Sequence, residues 1–199
     1  ALYDHVRGLV QRGHHVEVWR PPAEGDEYLP LQTIAHEHIV PLAWDDRRQS
    51  RSLARLGAAV DRLRAAEAHC RRCAAEINQG AFHLVYAGAC RFLSVPPVAR
   101  FLRVPAVLYL AEPHRRLYEA LPRPPWAALP WPSSPLAMLR DEARVRNQRI
   151  LVREETRNAA AFDRVLTNSL YSRESLLRAY GIEAHVCYLG IDTALFVDR

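Results

Sequence analysis

The chain has 199 residues, 49% of them hydrophobic and 25% charged, a balance that excludes a disordered polymer and suits one α/β domain with its own core. All 27 basic residues are arginine, for a net charge of +5 and a pI near 9.3; guanidinium forks suit phosphates, carboxylates and anionic headgroups, and biased base composition in the source would give the same excess. No apolar run approaches the roughly 20 residues that cross a bilayer, and residues 1–7 lack the apolar stretch of a signal peptide, so the expected location is the cytoplasm.

Leu2, Val6, Leu9 and Val10 recur at helical spacing, and Arg12, Gly13 and His14 end that helix before an alternating strand at 15–19. Residues 31–42 offer one or two short strands, 33–35 and 38–42, punctuated by Pro30 and Pro41. A long helix is predicted over 47–79, with Leu53, Leu56, Val60, Leu63 and Ala66 on one side and arginines on the other, a stripe that is more often a solvated face than a binding face. Cys70 and Cys73 form a CxxC within it. With no second pair, and with only Cys90 and Cys187 elsewhere, they read as helix-packed thiols rather than a zinc site, a redox pair or a disulfide scaffold.

A strand at 83–86 ends in Ala87, Gly88 and Ala89, a turn with room for close backbone approach. A helix over 92–102 and a strand over 106–111 follow. Residues 121–135 are rich in proline and carry Trp126 and Trp131, so neither helix nor central strand survives there. Two readings stay open: an excursion whose indoles, beside Arg123 and Arg140, meet a membrane interface or a lipid-linked acceptor, and a loop folded back over the core edge. A helix over 136–162 leads into a parallel crossover at 162–196: a strand at 164–169, a helix at 171–180, a stop at Gly181, a strand at 184–189, and an exit turn from Gly190 to Asp192 before Phe196.

The densest set of reactive side chains directly follows the buried strand at 106–111: Glu112, His114, Arg115, Tyr118 and Glu119. Imidazole changes charge near neutral pH, which suits His114 to hydrogen-bond a hydroxyl or take its proton. Arg115 can hold a phosphate or carboxylate, or pair with Glu119 one helical turn on. Ser169 lies at the carboxyl end of its strand, where open α/β sheets keep ligand-facing residues. There, with Tyr171, Ser172 and Arg173, it offers helix-end N–H groups to an anion or simply caps the helix. Gly88 marks another loop at the same sheet edge. The other histidines show no metal-ligand spacing; His36 and His38, alternating on a possible strand, come closest.

Two of these passages resemble one family. The closure at 162–196 resembles the end of the first domain of retaining family-4 glycosyltransferases, usually written Ala-Asp-x-Val-x-x-x-Ser, a helix, then Gly-Ile/Val-Asp and Phe. The exit at Arg12, Gly13 and His14 is similar to their Leu-x-x-Arg-Gly-His-x-Val passage, which follows a first strand and glycine loop. A third match sets 111–119 against a His-x-Pro-x-Arg-x-Leu-(Trp/Tyr)-(Asp/Glu) segment. Pro113, Arg115, Leu117, Tyr118 and Glu119 agree, and the histidine column falls on Ala111.

The resemblance implies a Rossmann-like parallel sheet with flanking helices, one half of a GT-B architecture. The chain would span most of the N-terminal, acceptor-binding domain without its first strand, and the C-terminal nucleotide-sugar domain would be absent. Two strands should then lack partners and the isolated chain should unfold with poor cooperativity. The parent would move a hexose from a nucleoside-diphosphate sugar to a polysaccharide, glycan or lipid-linked acceptor with retention of configuration. Positive charge and helix dipoles would stabilise the leaving diphosphate, with no required metal or other cofactor. The fragment alone is expected to be inactive, and no nucleic-acid partner is expected. The catalytic imidazole would come from His114, three residues beyond Ala111, or Glu112 and Arg115 would serve at that spot. Arg115, Tyr118, Gly88 and Ser169 would face the acceptor, with Gly190 and Asp192 mainly structural. Contact of 121–135 with lipid would make the protein peripheral to the inner membrane face.

Two rivals remain. A phosphate- or nucleotide-binding regulatory α/β module needs a glycine-rich loop of its own. A non-catalytic partner subunit derived from a transferase would account for Ala111.

Overall fold

The computed structural model describes residues 2–22, 30–44, 58–90, 93–114, 118 and 135–190. They fall into two compact units, Ala1–Phe82 with Pro97–Arg103, and His83–Pro96 with Val104–Arg199. Every strand pair among the described residues is parallel and helices flank the sheets, so the fold is α/β and Rossmann-like.

In the first unit α1 (Leu2–Gln11) buries Val6. It ends as the Arg12, Gly13, His14 pattern predicts. Gly13 takes φ of 84°, its N–H bonds the Val10 carbonyl at 2.9 Å and the His14 N–H bonds the Leu9 carbonyl at 3.2 Å, the paired bonds of a Schellman stop. Next, β1 (Glu17–Arg20) pairs with β2 (His36–Ile39) in a two-stranded sheet. The strand expected at 33–35 is instead a 3-10 turn (Leu31–Thr33). There the Thr33 hydroxyl and N–H both bond the Pro30 carbonyl, at 2.7 and 3.2 Å, a local bond that competes with strand pairing.

The helix expected over 47–79 is described as α2 (Ala58–Ile77); residues 47–57 lie outside the described residues. Its buried stripe is Ala66, Cys70, Cys73, Ala74 and Ile77, at helical spacing, and Arg62, Arg64, Arg71 and Arg72 are exposed. The helix expected at 92–102 is a correction. Over 93–102 the chain makes only a 3-10 helix (Pro97–Phe101), because Pro97 has no N–H to donate and drives Pro96 out of the helical region.

The second unit holds β3 (Val85–Ala87), β4 (Ala106–Tyr109), β5 (Arg164–Thr167) and β6 (His185–Val186), side by side in that order. Helix α3 (Pro135–Ala159) precedes β5, and α4 (Leu170–Tyr180) joins β5 to β6. α3 stops three residues short of the expected 162, and Asp163 then holds the strand starts together. Its carboxylate accepts the Ala106 N–H at 2.8 Å, and its own N–H reaches the Ala106 carbonyl at 3.0 Å. Ala106, Leu108 and Leu110 alternate into the core beside Val165 and Thr167. α4 closes on Gly181, whose φ of 68° and bond to the Leu177 carbonyl form a left-handed cap. No helix among the described residues is long and apolar enough to cross a membrane. Residues 121–134, with Trp126 and Trp131, and residues 191–199, with Asp192 and Phe196, lie outside the described residues.

Two substitutions check this core. Leu108 has no exposed surface, so Leu108→Ala is expected to cost about 2–5 kcal/mol in urea unfolding. Thr167 is equally buried, and its hydroxyl has no hydrogen-bond partner among the described residues. Thr167→Val keeps the shape and removes that unmet group, so it is expected to raise stability by roughly 1 kcal/mol.

Candidate functional site

Because the strands of the second unit are parallel, their carboxyl ends share one edge, the edge at which α/β sheets expose loops to ligands. There the chain leaves β3 into Gly88 and Ala89, β4 into 110–114, and β5 into Asn168 and Ser169. A cleft of about 350 Å³ lies between Ala89, Ser94 and residues 110–114. Pro113 is buried and anchors the segment, while Ala111 and Glu112 are exposed. His114 is half-buried, and its Nδ1 is a buried atom with no hydrogen-bond partner among the described residues. His114 and Glu112 both line this small hollow, and imidazole and carboxylate are the side-chain groups that hydrogen-bond a hydroxyl and take its proton.

Beside this cleft sits a carboxylate with no water contact. Glu155 of α3 has 0% exposure. It accepts the Ser94 N–H at 2.7 Å and the Tyr180 hydroxyl at 2.6 Å. One turn on, Asn158 donates to the Val95 carbonyl at 3.0 Å. Burial pushes the Glu155 carboxyl above its ordinary range, and the Tyr180 hydroxyl, the Ser94 N–H and nearby His114 pull it back. Tyr180 is pushed far upward by burial and then by the Glu155 charge, and Tyr118 upward by burial. The Tyr118 ring meets that of Tyr180 edge-on, centroids 4.8 Å apart.

The residues singled out by the sequence separate here. His114 and Glu112 line the cleft, and Gly88 adjoins it through Ala89; a side chain at Gly88 would meet nothing within 4 Å, so its smallness makes no room there. Tyr118 packs on Tyr180 and is not among the lining residues. Ser169 caps α4: its hydroxyl accepts the Ser172 N–H at 3.1 Å and bonds the Ser172 hydroxyl, which reaches Asn168. That fulfils the capping alternative. Arg115 and Glu119 lie outside the described residues. Sequence reasoning missed Ser94, Glu155 and Tyr180. A signal existed for one of them, since Glu155 interrupts the apolar stripe of Val152, Ala159 and Phe162 at helical spacing.

The first unit has a larger hollow, about 560 Å³, along 32–37 and Ile39. Its Glu37 carboxylate is held by Arg20 at 2.9 and 3.2 Å. His38 stacks flat on Trp19 with centroids 4.1 Å apart, meets His36 edge-on, and bonds Glu17 at 2.6 Å. Among the described residues no group of three or more His, Cys, Asp and Glu side chains is placed to hold a metal ion. Burial raises the Cys73 thiol to about 11, which leaves it protonated and poorly nucleophilic at neutral pH.

No protein-family model and no curated protein matches this chain.

The buried carboxylate generates a pH test. An unfolded Glu155 releases its proton near pH 4.5 and the folded one releases it higher, so in between only the folded state keeps the proton. Stability from this group is therefore highest at or below pH 4.5, falls as pH rises toward the folded value, and is flat above it. Urea titrations across pH 4.5 to 7.5 should show wild type losing stability relative to Glu155→Gln with rising pH; a relative gain would reverse the assignment.

Proposed function

We propose that this chain forms the acceptor-facing part of a retaining glycosyltransferase that moves a hexose from a nucleoside-diphosphate sugar to a hydroxyl-bearing acceptor, a glycan, polysaccharide or lipid-linked sugar. The observation that carries the reading is the cleft at the sheet's carboxyl edge, which His114 and Glu112 both line. The sequence resemblance of 12–14 and 162–196 supports it, as does the parallel Rossmann-like sheet.

In this reading an acceptor hydroxyl lies in the cleft and donates to His114. Its oxygen bonds the donor's anomeric carbon on the face from which the diphosphate departs, and the bond from that carbon to the phosphate oxygen breaks with its electron pair on the diphosphate. The hydroxyl proton passes to the imidazole or the departing phosphate. Arg115, Tyr118, Gly88 and Ser169 surround the acceptor in the family pattern; with Ser169 committed to its cap, its contribution is to place the start of α4. A second α/β half bearing paired glutamates would hold the donor, and nucleotide-sugar supply puts the reaction in the cytoplasm, with 121–135 as the segment to reach a membrane surface.

A specific observation favours one rival. Ala111 lines the cleft where the family pattern has histidine, as a non-catalytic partner subunit would. The full-length product of the reading frame, incubated with UDP- and GDP-hexoses and a mixture of oligosaccharide and polyprenyl-linked acceptors, is expected to release nucleoside diphosphate only when acceptor is present. His114→Ala is expected to lower that turnover tenfold or more. Full activity without the imidazole removes His114 from the chemistry, and no release with any pair favours the partner subunit.

A further inference from the structure

We propose that the outward face of α3 docks the protein on a bilayer of anionic phospholipid, its arginines on the headgroups and its apolar end entering the interface. Glu155, Asn158 and Ala159 mark the side of the helix turned to the core. On the opposite side Leu139, Arg146, Arg149 and Arg153, at spacings of seven, three and four residues, fall on one line, about 21 Å from first to last. All four are exposed, Leu139 at 69%. Met138 and Val145, themselves two turns apart, run beside them and are exposed as well. Glu142 lies in the same line, one carboxylate against three guanidinium groups.

Pairing and apolarity set this face apart from an ordinary solvated one. Most exposed arginines on the other helices hold a partner: in α2 Arg64 pairs with Asp61 and Arg71 with Glu67, Arg62 lies over the Trp44 ring and Arg72 bonds the Pro41 carbonyl, and in α4 Arg178 pairs with Glu174. The guanidinium groups of Arg146, Arg149 and Arg153 make no hydrogen bond, ion pair or ring contact among the described residues. Their charge is open to an anion. Beside them Met138, Leu139 and Val145 hold three large apolar side chains in water. A nucleic acid or an acidic polysaccharide would use the arginines and leave those three wet. A bilayer surface takes both, since phosphates accept from guanidinium forks while the apolar groups and the arginine stems leave water between the headgroups. Exposure and pairing define the face, whichever reaction the cleft serves, so it stands apart from the transferase reading.

Sedimentation of the full chain with phosphatidylcholine vesicles, with and without phosphatidylglycerol, tests the proposal. The chain is expected to bind the phosphatidylglycerol vesicles at low salt and to leave them as salt rises. Each arginine near an anionic surface is worth roughly fivefold in binding, so Arg146→Glu, Arg149→Glu and Arg153→Glu together are expected to weaken it by roughly a hundredfold or more. Leu139→Ala, which takes an apolar group out of the interface, is expected to weaken it severalfold. Arg144→Glu is the control: it changes the net charge as Arg149→Glu does but lies on the other side of α3 by helical period, and should cost roughly threefold less binding or better. Far-ultraviolet circular dichroism checks that each variant folds, and should the triple variant fail, Arg149→Glu against Arg144→Glu carries the test. No binding to phosphatidylglycerol vesicles overturns the proposal. So do equal losses in Arg144→Glu and Arg149→Glu, or tighter binding to a DNA duplex that needs the arginines and ignores Leu139→Ala. Vesicle binding and sugar transfer are read separately, so either can fail alone.

Discussion

Parallel pairing is the constraint from which the rest of the second unit follows. Four strands that run the same way must each return by a crossover, so their carboxyl ends and the loops that leave them gather on one edge. Leu108 and Val165, paired across β4 and β5, fill the core beneath, and Asp163 ties the other ends of those two strands. With the strand ends held there, residues 110–114 have one place to emerge, and the cleft forms where they meet Ser94.

The cleft then inherits its geometry from a polar network. Glu155 and Asn158, one turn apart on α3, face the segment 93–95 and satisfy the Ser94 N–H and the Val95 carbonyl. A buried backbone group left without a partner costs about as much as a lost hydrogen bond, so these two side chains do for an irregular stretch what a ladder does for a strand. The same logic explains Ser169 and Gly181, which close the two ends of α4 and set the angle at which Tyr180 returns to Glu155.

Much of the architecture was legible because it depends on near neighbours. The Gly13 stop, the Ser169 cap and the Gly181 cap are local: each needs one residue type at one backbone conformation. The CxxC in α2 was legible for the same reason, since helical period alone puts Cys70 and Cys73 on the buried side. Errors fell where a local competitor outweighed the pattern: the Thr33 hydroxyl bonding Pro30 in place of a strand, and Pro96 with Pro97 in place of a helix.

His114 and Glu112 could be picked out as residues following a strand, and composition with periodicity determined the α/β class, the helix ends and the buried stripes. Only the tertiary structure decided that His114 shares a cleft with Ser94, that Ser169 spends its hydroxyl on a cap, and that Glu155 lies beside Tyr180 and Ser94, residues 25 and 61 positions away. The physical reason is range. Capping and period act within a turn or two of chain, whereas burial of a charge and the donors that make it tolerable are set by which distant segments the parallel sheet brings together.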